Sequence, residues 1–334
     1  MNAAVVSTFD APPRYSVFAE PIAAEGEKIV QVTAAGLHPI VRSLAKGTHY
    51  GSTGELPFIP GVDGVGRLED GTRVYFGVLR RPFGTFAERA PAANWACLPL
   101  PEGISDVTAA GIANPGMSSW VALTVRAKFV VGESVLILGA TGVAGQLAVQ
   151  AAKRLGARRV IAAGRNPQAL QKLPQLGADA IISLDQEHEA LVSAFRREWA
   201  EAGVDVVLDY LWGPPAESVL EAISQKGLRN AASRVRFVQI GASAGNPISL
   251  SADTLRSSQI ELLGSGSGSA SLDQIWRALA EFFSVAVREP FQFNTKIAPL
   301  RDIEALWNSP EQGVRVVFQP WAGAEHSSAP HRQD

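Results

Sequence analysis

Cysteine, strongly basic segments and long apolar runs are scarce or absent in this sequence of 334 residues. The single cysteine, Cys97, can form neither an internal disulfide nor a multi-thiolate zinc site. The 30 basic and 32 acidic residues nearly balance, and no Lys/Arg block of the kind that binds nucleic acid occurs. No apolar stretch reaches the roughly 18 residues of a membrane span, and no leader pattern opens the chain. We therefore expect a cytoplasmic protein that binds small molecules, with neither nucleic acid nor a membrane as partner.

The apolar fraction of 46% and the charged fraction of 19% are typical of a globular chain, long enough here for two domains. The first 130 residues are rich in Gly and Pro and contain short alternating segments such as KIVQVTAA (28–35) and RVYFGV (73–78). This pattern predicts irregular β structure. From about residue 132 the sequence alternates apolar segments, glycine turns and amphipathic segments.

The second region is predicted to be a doubly wound parallel sheet, because parallel strands need helix-length crossovers. Its predicted strands are SVLIL (134–138), RVIAA (159–163), AIIS (180–183), VDVVLD (204–209), RFVQI (236–240) and IELLG (260–264). Its predicted helices are 143–155, 167–176, 188–201 and 214–225.

Three features follow the last predicted strand of this sheet. GSGSGSAS (264–271) is either a flexible linker or a pocket-lining turn. Ser271 and Gln274 fit a capping box that opens a helix, and VRVVF (314–318) is a further strand. The polar residues 321–334 predict a disordered tail.

The segment GATGVAGQL (139–147) follows a predicted strand and opens a predicted helix, which is the context of a dinucleotide-binding turn. Gly142 is predicted to let the backbone approach a pyrophosphate, and Gly145 to let the helix pack closely on the strand. Free N–H groups at the helix start would bind the phosphate charge. The alternative is a tight turn that binds no ligand.

The second strand of the predicted sheet ends at Gly164, Arg165 and Asn166, where NAD-binding proteins commonly place an acidic residue. An arginine there can pair with a 2′-phosphate and stack on adenine, whereas a carboxylate would repel the phosphate. NADP(H) is therefore the predicted cofactor. The alternative is that Arg165 is a solvated loop residue.

The ordered segments AAGLHPIVRSLAKGTHY, LPFIPGVDGVGRL, ANPGMSSWVAL, VGESVLILGATGVAGQLAVQAAKRLGA and LGADAIISL resemble the medium-chain dehydrogenase/reductase superfamily. The A-x-G-x-x-G form of the turn, with Ala140 in first place, is similar to its zinc-free quinone oxidoreductase branch. The resemblance implies an α/β fold in which a Rossmann doubly wound parallel sheet is inserted in a GroES-like β-rich catalytic domain. It implies a catalytic first part at 1–120, an NADP-binding domain at 121–264, a return to the catalytic domain at 265–320, and an active site in the cleft between domains.

Zinc can be tested at the positions where the zinc enzymes of the superfamily carry their ligands. Their G-x-C-x-x-D motif corresponds here to Gly36, Leu37 and His38 with Val41, and their G-H-E-x-x-G motif to the segment 61–66, which reads GVDGVG. Only His38 could serve as a ligand, and a catalytic zinc needs about three protein ligands. We therefore predict an enzyme without zinc.

The resemblance also implies a set of cofactor contacts around the sheet. They are Ser118, Ala140, Thr141, Gly142, Val143, Ala144, Gly145, Gly164, Arg165, Asn166, Asp209, Gly241, Ala242, Gly264, Ser265 and Gly266. Asp209 either contacts the cofactor or caps the next turn. Many members use a lysine for the 2′-phosphate at the position of Ala169, so Arg165 would carry NADP selectivity largely alone.

Hydride transfer from the nicotinamide to a quinone or an α,β-unsaturated carbonyl is the reaction that the resemblance implies. His38 and Tyr50 are the candidate side chains for polarising or positioning the substrate, and Asn114 is a candidate for the substrate pocket. The alternatives are a structural histidine, a tyrosine that only packs, and a proton that comes from water. The branch usually carries Asn at the position of His38 and Asp at the position of Val41, which weakens the transfer of contacts there.

The sequence is also compatible with two other functions. One is a metal-free carbonyl or alcohol dehydrogenase that uses NADP, and the other is a regulatory NADPH-binding protein without turnover. The edge strand near IELLG predicts a homodimer, since an exposed edge invites pairing and relatives dimerise in this way.

Overall fold

The computed structural model describes residues 1–224, 234–266, 268–309 and 313–321. Contacts divide the chain into two compact units. The first unit comprises Met1–Gly111, Thr295–Glu311 and Arg315–Asp334, and the second comprises Ile112–Asn294 and Gln312–Val314. The predicted tail lies, beyond residue 321, outside the described residues.

Strands of the described residues are numbered in chain order. They are β1 (Asn2–Val5), β2 (Arg14–Val17), β3 (Glu27–Gly36), β4 (Asp63–Arg67), β5 (Arg73–Gly77), β6 (Arg89–Ala93), β7 (Cys97–Pro99), β8 (Ser134–Leu138), β9 (Arg159–Gly164), β10 (Ala180–Ser183), β11 (Val206–Asp209), β12 (Arg234–Gln239), β13 (Gln259–Gly264), β14 (Asn294–Pro299) and β15 (Val314–Gln319).

Helices of the described residues are numbered in the same way. They are α1 (Pro39–Ala45), α2 (Asp106–Val121), α3 (Val143–Arg154), α4 (Pro167–Leu170), α5 (His188–Ala202), α6 (Gly213–Ile223), α7 (Ala252–Ser257), α8 (Leu272–Arg288) and α9 (Ile303–Leu306). A π-helical turn, Ala122–Arg126, follows α2. None of the described helices is long and apolar enough to cross a bilayer.

The second unit contains a six-stranded sheet in the order β10-β9-β8-β11-β12-β13, with every determined pairing parallel. All five residues of β8 are buried, as expected for a strand covered on both faces. One face packs against α5 and α6 through side chains such as Phe195 and Val219. The other face packs against α3 through Ala148 and Val149. The predicted α/β fold class, with its doubly wound parallel sheet, is confirmed.

One predicted helix of this unit, 167–176, is divided in the structure. Helix α4 ends at Leu170, and a separate 3-10 helix spans Leu173–Leu176. Pro174 accounts for the break, because proline lacks the N–H of a helical hydrogen bond and its ring crowds the preceding turn. The prediction of one continuous helix was therefore wrong.

The first unit contains almost all of a seven-stranded sheet, in the order β14-β15-β3-β4-β5-β7, with β6 also paired to β3. The pairings of β3 with β4, β6 and β15 are antiparallel. Strands β1 and β2 form a separate two-stranded sheet, whereas β15, near the end of the described chain, pairs with β3 and completes the seven-stranded sheet. Its core includes Phe86, Trp307 and Phe318 in edge-to-face contacts. This is the β-rich partner that the sequence predicted.

Helix α8 belongs to the compact unit of the parallel sheet, whereas the sequence prediction assigned it to the other domain. Its Phe282 lies against Gly116 of α2, where a Cβ would come within 2.2 Å of the ring. The predicted capping box of Ser271 and Gln274 is confirmed at its N-terminus. The preceding glycine-rich segment is attached to the sheet where it starts, since the N–H of Ser265 donates to Gln239 O at 2.8 Å.

Candidate functional site

The carboxyl ends of the parallel strands lie side by side along one edge of the sheet in the second unit. Strand register places Leu138 beside Ala163 on one side and beside Asp209 on the other. Asp209 pairs in turn with Gln239, and Gln239 with Gly264. The cofactor positions predicted after β8, β9, β11, β12 and β13 therefore come together at the edge of an open α/β sheet where ligands bind.

The turn after β8 is fixed to its neighbouring strand. Both Gly139 and Ala140 donate their N–H groups to the carbonyl of Ala163, at 2.9 Å each. Gly139 has φ +88°, a left-handed conformation that favours glycine. Ala140 is completely buried, which suits a small apolar residue at this position.

Of the two glycines at the start of α3, only one is required by packing within the protein. A Cβ on Gly145 would lie 2.3 Å from Gly139 O and 2.5 Å from the Cα of Ala140, so the helix packs on the turn only with glycine there. Gly142 has φ −77°, is exposed, and would bring a Cβ no closer than 3.6 Å to another atom. The packing role predicted for Gly145 is confirmed, whereas folding does not explain the glycine at 142.

The N-terminus of α3 offers free hydrogen-bond donors. Gly142 is its N-cap residue and supplies no side-chain acceptor. Within the described chain, the N–H groups of Val143, Ala144 and Gly145 have no protein acceptor. Unpaired N–H groups and the positive end of the helix dipole favour an anion, and the open space at Gly142 admits one close to the backbone. Thr141 is another predicted cofactor contact, and its carbonyl accepts a hydrogen bond from Nε2 of Gln146 at 3.0 Å.

The end of β9 lies beside this turn. Gly164 is buried, and a Cβ there would meet the Cγ2 of Thr141 at 2.5 Å, so the close contact of the two turns requires glycine. Asn166 caps α4, its Oδ1 accepting the N–H of Ala169 at 2.9 Å. Arg165 between them is exposed, and its guanidinium has no partner in the part of the chain that the structure describes. Of these three residues, Arg165 alone presents a free charged group.

Asp209 caps a turn. Its side chain is fully buried, and Oδ1 accepts the N–H groups of Leu211 at 2.8 Å and Trp212 at 2.9 Å. The turn holds Trp212 at φ +56°, a strained conformation for a residue with a side chain. Burial raises the pKa of the Asp209 carboxyl to about 6, although the two N–H bonds oppose the rise. Oδ1 of Asp209 therefore caps the turn, whereas Oδ2 is buried without a hydrogen-bond partner among the described residues, and a cofactor contact of Asp209 stays a prediction.

Helix α2 brings the predicted Ser118 to a residue that sequence reasoning missed. The Oγ of Ser118 donates to Pro115 O at 2.7 Å and lies 3.3 Å from the hydroxyl of Tyr210. Tyr210 immediately follows Asp209 at the end of β11, and that position in the chain was the only signal that could have drawn attention to it. Asn114, the predicted pocket residue, is partly buried on the same helix.

The two catalytic candidates of the first unit have opposite surroundings. His38 is 0% exposed, and its Nε2 lies 3.2 Å from Oδ1 of Asp63, whose Oδ2 accepts a hydrogen bond from the Tyr75 hydroxyl at 2.8 Å. Burial lowers the pKa of His38, outweighing the attraction of Asp63, and therefore keeps the ring neutral. Tyr50 is 78% exposed and stacks on His49 with ring centroids 4.1 Å apart. The structural alternative suits His38, whereas Tyr50 is not a packing residue.

The His38 cluster provides a poor donor set for zinc. It offers one imidazole and the Asp63 carboxylate, and Val62 stands where the zinc enzymes of the superfamily carry histidine. No group of three or more His, Cys, Asp or Glu residues suited to a metal occurs in the described residues. Since a catalytic zinc takes about three protein ligands, this donor set does not fit zinc.

Comparison with known proteins places this arrangement in a family. A family model described as zinc-binding dehydrogenase matches residues 143–284. The chain is 27% identical, over 96% of its length and 100% of the relative, to a protein of Emericella nidulans named a probable NADPH-dependent quinone reductase. It is 28% identical to a quinone oxidoreductase of Lama guanicoe, over 68% of this chain and 71% of the relative.

A solved structure extends the match to the whole fold. The quinone oxidoreductase of Thermus thermophilus, whose structures include a complex with NADPH, is 30% identical to this chain. The two superpose with a TM-score of 0.77 over 96% of this chain and 100% of the other. This chain therefore belongs to the quinone oxidoreductase-like branch of the medium-chain dehydrogenase/reductase superfamily, a family of oxidoreductases.

Proposed function

We propose that this protein is an NADPH-dependent reductase that transfers hydride, without zinc, to a quinone or an α,β-unsaturated carbonyl compound. The observation that carries the proposal is the start of α3, where Gly142 is unexplained by packing and three N–H groups lack a protein acceptor among the described residues. The names of the Emericella relative and of the Thermus complex both include NADPH. The assignment of the catalytic part to the first compact unit and of nucleotide binding to the second, with α8 in the second unit, is part of this proposal.

Binding of the cofactor would be divided between two neighbouring turns. The N–H groups of Val143, Ala144 and Gly145 would hold the pyrophosphate, with Gly142 leaving room for it. Arg165 would pair with the 2′-phosphate, because its guanidinium is exposed and has no protein partner among the described residues. Backbone at Gly241, Ala242, Gly264, Ser265 and Gly266 would line the rest of the site.

When bound, NADPH supplies the hydride, and the protein supplies orientation. The buried His38 lies 3.2 Å from Asp63 and is assigned a structural role, not a substrate contact. Tyr50, exposed and stacked on His49, is the candidate to contact a planar quinone. Water then supplies the proton that completes reduction of the carbonyl oxygen.

A substrate panel tests the proposal. We expect NADPH oxidation, followed by the loss of its absorbance, with quinones and enals and none with NADP and simple alcohols. Oxidation of alcohols with NADP would identify a metal-free dehydrogenase instead. Tight NADPH binding without turnover across the panel would identify a regulatory nucleotide-binding protein. Activity that survives chelation and dialysis would support the absence of zinc.

We also propose a homodimer that pairs through β13. This strand lies at the edge of the six-stranded sheet, and an unpaired edge is a template for another strand. Light scattering at low micromolar concentration should give twice the mass of the 35.4 kDa chain. The double variant Ile260→Pro with Leu262→Pro, which removes two N–H donors from the edge, should give the single mass.

A further inference from the structure

Tyr210 lies between residues 139–142 after β8, which form the proposed phosphate turn, and the loop that follows β12. Its N–H donates to Leu138 O at 3.2 Å, and its carbonyl accepts the Ser243 hydroxyl at 3.1 Å. A Cβ on Gly139 would lie 3.3 Å from the Cβ of Tyr210, and a Cβ on Gly241 would lie 2.8 Å from its carbonyl oxygen. Glycine at both neighbours therefore lets this tyrosine sit directly against the carboxyl edge of the sheet.

The hydroxyl of Tyr210 acts as a donor in its present contacts. A serine hydroxyl carries a single proton, and Ser118 donates its proton to Pro115 O while Ser119 donates to Gly116 O at 2.9 Å. Ser118 can therefore only accept across the 3.3 Å that separates it from Tyr210. Burial raises the pKa of the Tyr210 phenol to about 12, so the proton stays in place near neutral pH. At 3.3 Å the bond is long, and a better acceptor would compete for the proton.

The order of the strands indicates which part of a dinucleotide would lie here. The phosphate turn follows β8, and Arg165, which would bind the 2′-phosphate of the adenosine half, follows β9 on one side of it. Tyr210 follows β11 on the other side of β8. A dinucleotide with its pyrophosphate at the turn and its adenosine half towards β9 extends its other half towards β11. Neighbouring strands are about 4.8 Å apart, which is within the reach of a tyrosine side chain.

We propose that the hydroxyl of Tyr210 donates a hydrogen bond to the nicotinamide–ribose end of bound NADPH, with Ser118 holding the phenol in place beforehand. The inference rests on the proposed function, since it requires that the chain bind NADPH. Asp209, the neighbouring side chain along this edge of the sheet, is buried and engaged by two backbone N–H groups. Tyr210 thus provides a side-chain donor, whereas Gly139 and Gly241, which follow the strands on either side of β11, have only backbone groups to offer.

Calorimetric titration of two ligands tests this role. NADPH carries the nicotinamide–ribose end, whereas 2′-phosphoadenosine 5′-diphosphate lacks both the nicotinamide and its ribose but keeps the 2′-phosphate and the pyrophosphate. Tyr210→Phe should weaken NADPH binding about fivefold, the effect of one neutral hydrogen bond, and leave binding of the truncated ligand within about twofold. Tyr15→Phe, a partly buried tyrosine of the first unit, is the matched control and should change neither affinity.

Equal NADPH affinity in Tyr210→Phe and the parent protein would overturn the inference, as would equal weakening of both ligands, which would indicate a structural effect. Retained binding of the truncated ligand shows that the variant is folded, so a lost NADPH affinity can then be assigned to the hydroxyl. Absence of NADPH binding in the parent protein is a separate result, which would overturn the proposed function as well.

Discussion

The His38 cluster of the first unit and the phosphate turn of the second unit use polar groups in opposite ways. His38, Asp63 and Tyr75 are buried against one another, so their polar atoms face each other inside the protein. The turn after β8 leaves backbone N–H groups without partners among the described residues, around an exposed glycine. The ring nitrogens of His38 and Oδ1 of Asp63 also lack hydrogen-bond partners among the described residues, but they are enclosed, whereas unpaired donors at a helix start are available to a ligand. The contrast separates a buried polar cluster from a turn that can bind.

Gly145 and Gly142 give the largest expected effect within this comparison. Gly145→Ala should lower the free energy of unfolding by about 3 kcal/mol, because its Cβ would collide with backbone at 2.3 Å. Gly142→Ala should change stability by less than about 0.5 kcal/mol and instead weaken NADPH about tenfold. Urea denaturation and nucleotide titration of both variants provide the measurements. Equal destabilisation by the two substitutions would remove the distinction between the packing glycine and the binding glycine.

Arg165→Glu tests the free charge beside the turn. We expect NADPH affinity to fall about 50-fold, since a charge-assisted pair is replaced by repulsion, while NADH affinity changes less than about threefold. Arg197→Glu, which makes the same charge change at an exposed position of α5, is the matched control. A similar loss for both cofactors would show that Arg165 does not select the 2′-phosphate.

The pH dependence of the free energy of unfolding tests the capping role of Asp209 after β11. Its folded pKa of about 6 lies above the ordinary 3.8, so the folded state binds the proton more tightly. This stability is fully present below about pH 3.8 and is lost as pH rises through about 6. In the Asp209→Asn variant, the free energy of unfolding should fall less between about pH 4 and pH 7 than in the parent protein, by on the order of 2 kcal/mol. Denaturation at each pH measures it, and the exposed Asp185→Asn should leave the profile of the parent protein unchanged.

The pH dependence expected from His38 has the opposite sign to that of Asp209. Burial holds its folded pKa below the ordinary 6.5, so its contribution is fully present above about pH 6.5 and is lost as pH falls towards the folded pKa. His38→Asn should therefore flatten the acid side of the stability profile measured by denaturation. An unchanged acid slope would mean that the ring is already charged in the folded protein, in conflict with its burial.

Much of the second unit was predictable because its signals are local. Apolar runs bounded by glycine predicted the six strands of the parallel sheet, and β8 and β10 have the predicted bounds. The role of Gly145 followed from the strand-turn-helix context, and the capping box at Ser271 from a spacing of three residues. The break in the predicted helix 167–176 also has a local cause, Pro174, but the helical pattern of the surrounding residues led to the prediction of one continuous helix.

The contacts that sequence reasoning left open depend on residues far apart in the chain. Ser118 and Tyr210 are 92 positions apart, and their pairing is visible only when α2 and β11 are in place. The surroundings of His38 depend on β4 and β5, which bring Asp63 and Tyr75 to it. The capping role of Asp209 depends on the path of the turn at Leu211 and Trp212.

The sequence by itself determined the parallel sheet and the glycine turn after β8, because hydrophobic periodicity and short glycine motifs act over a few residues, and its ordered motifs indicated the family. The tertiary structure decided which polar side chains are enclosed and which are available. His38 is buried against Asp63, whereas Arg165 is exposed beside the turn. Burial depends on how distant segments pack, and a single position in a sequence does not carry that information.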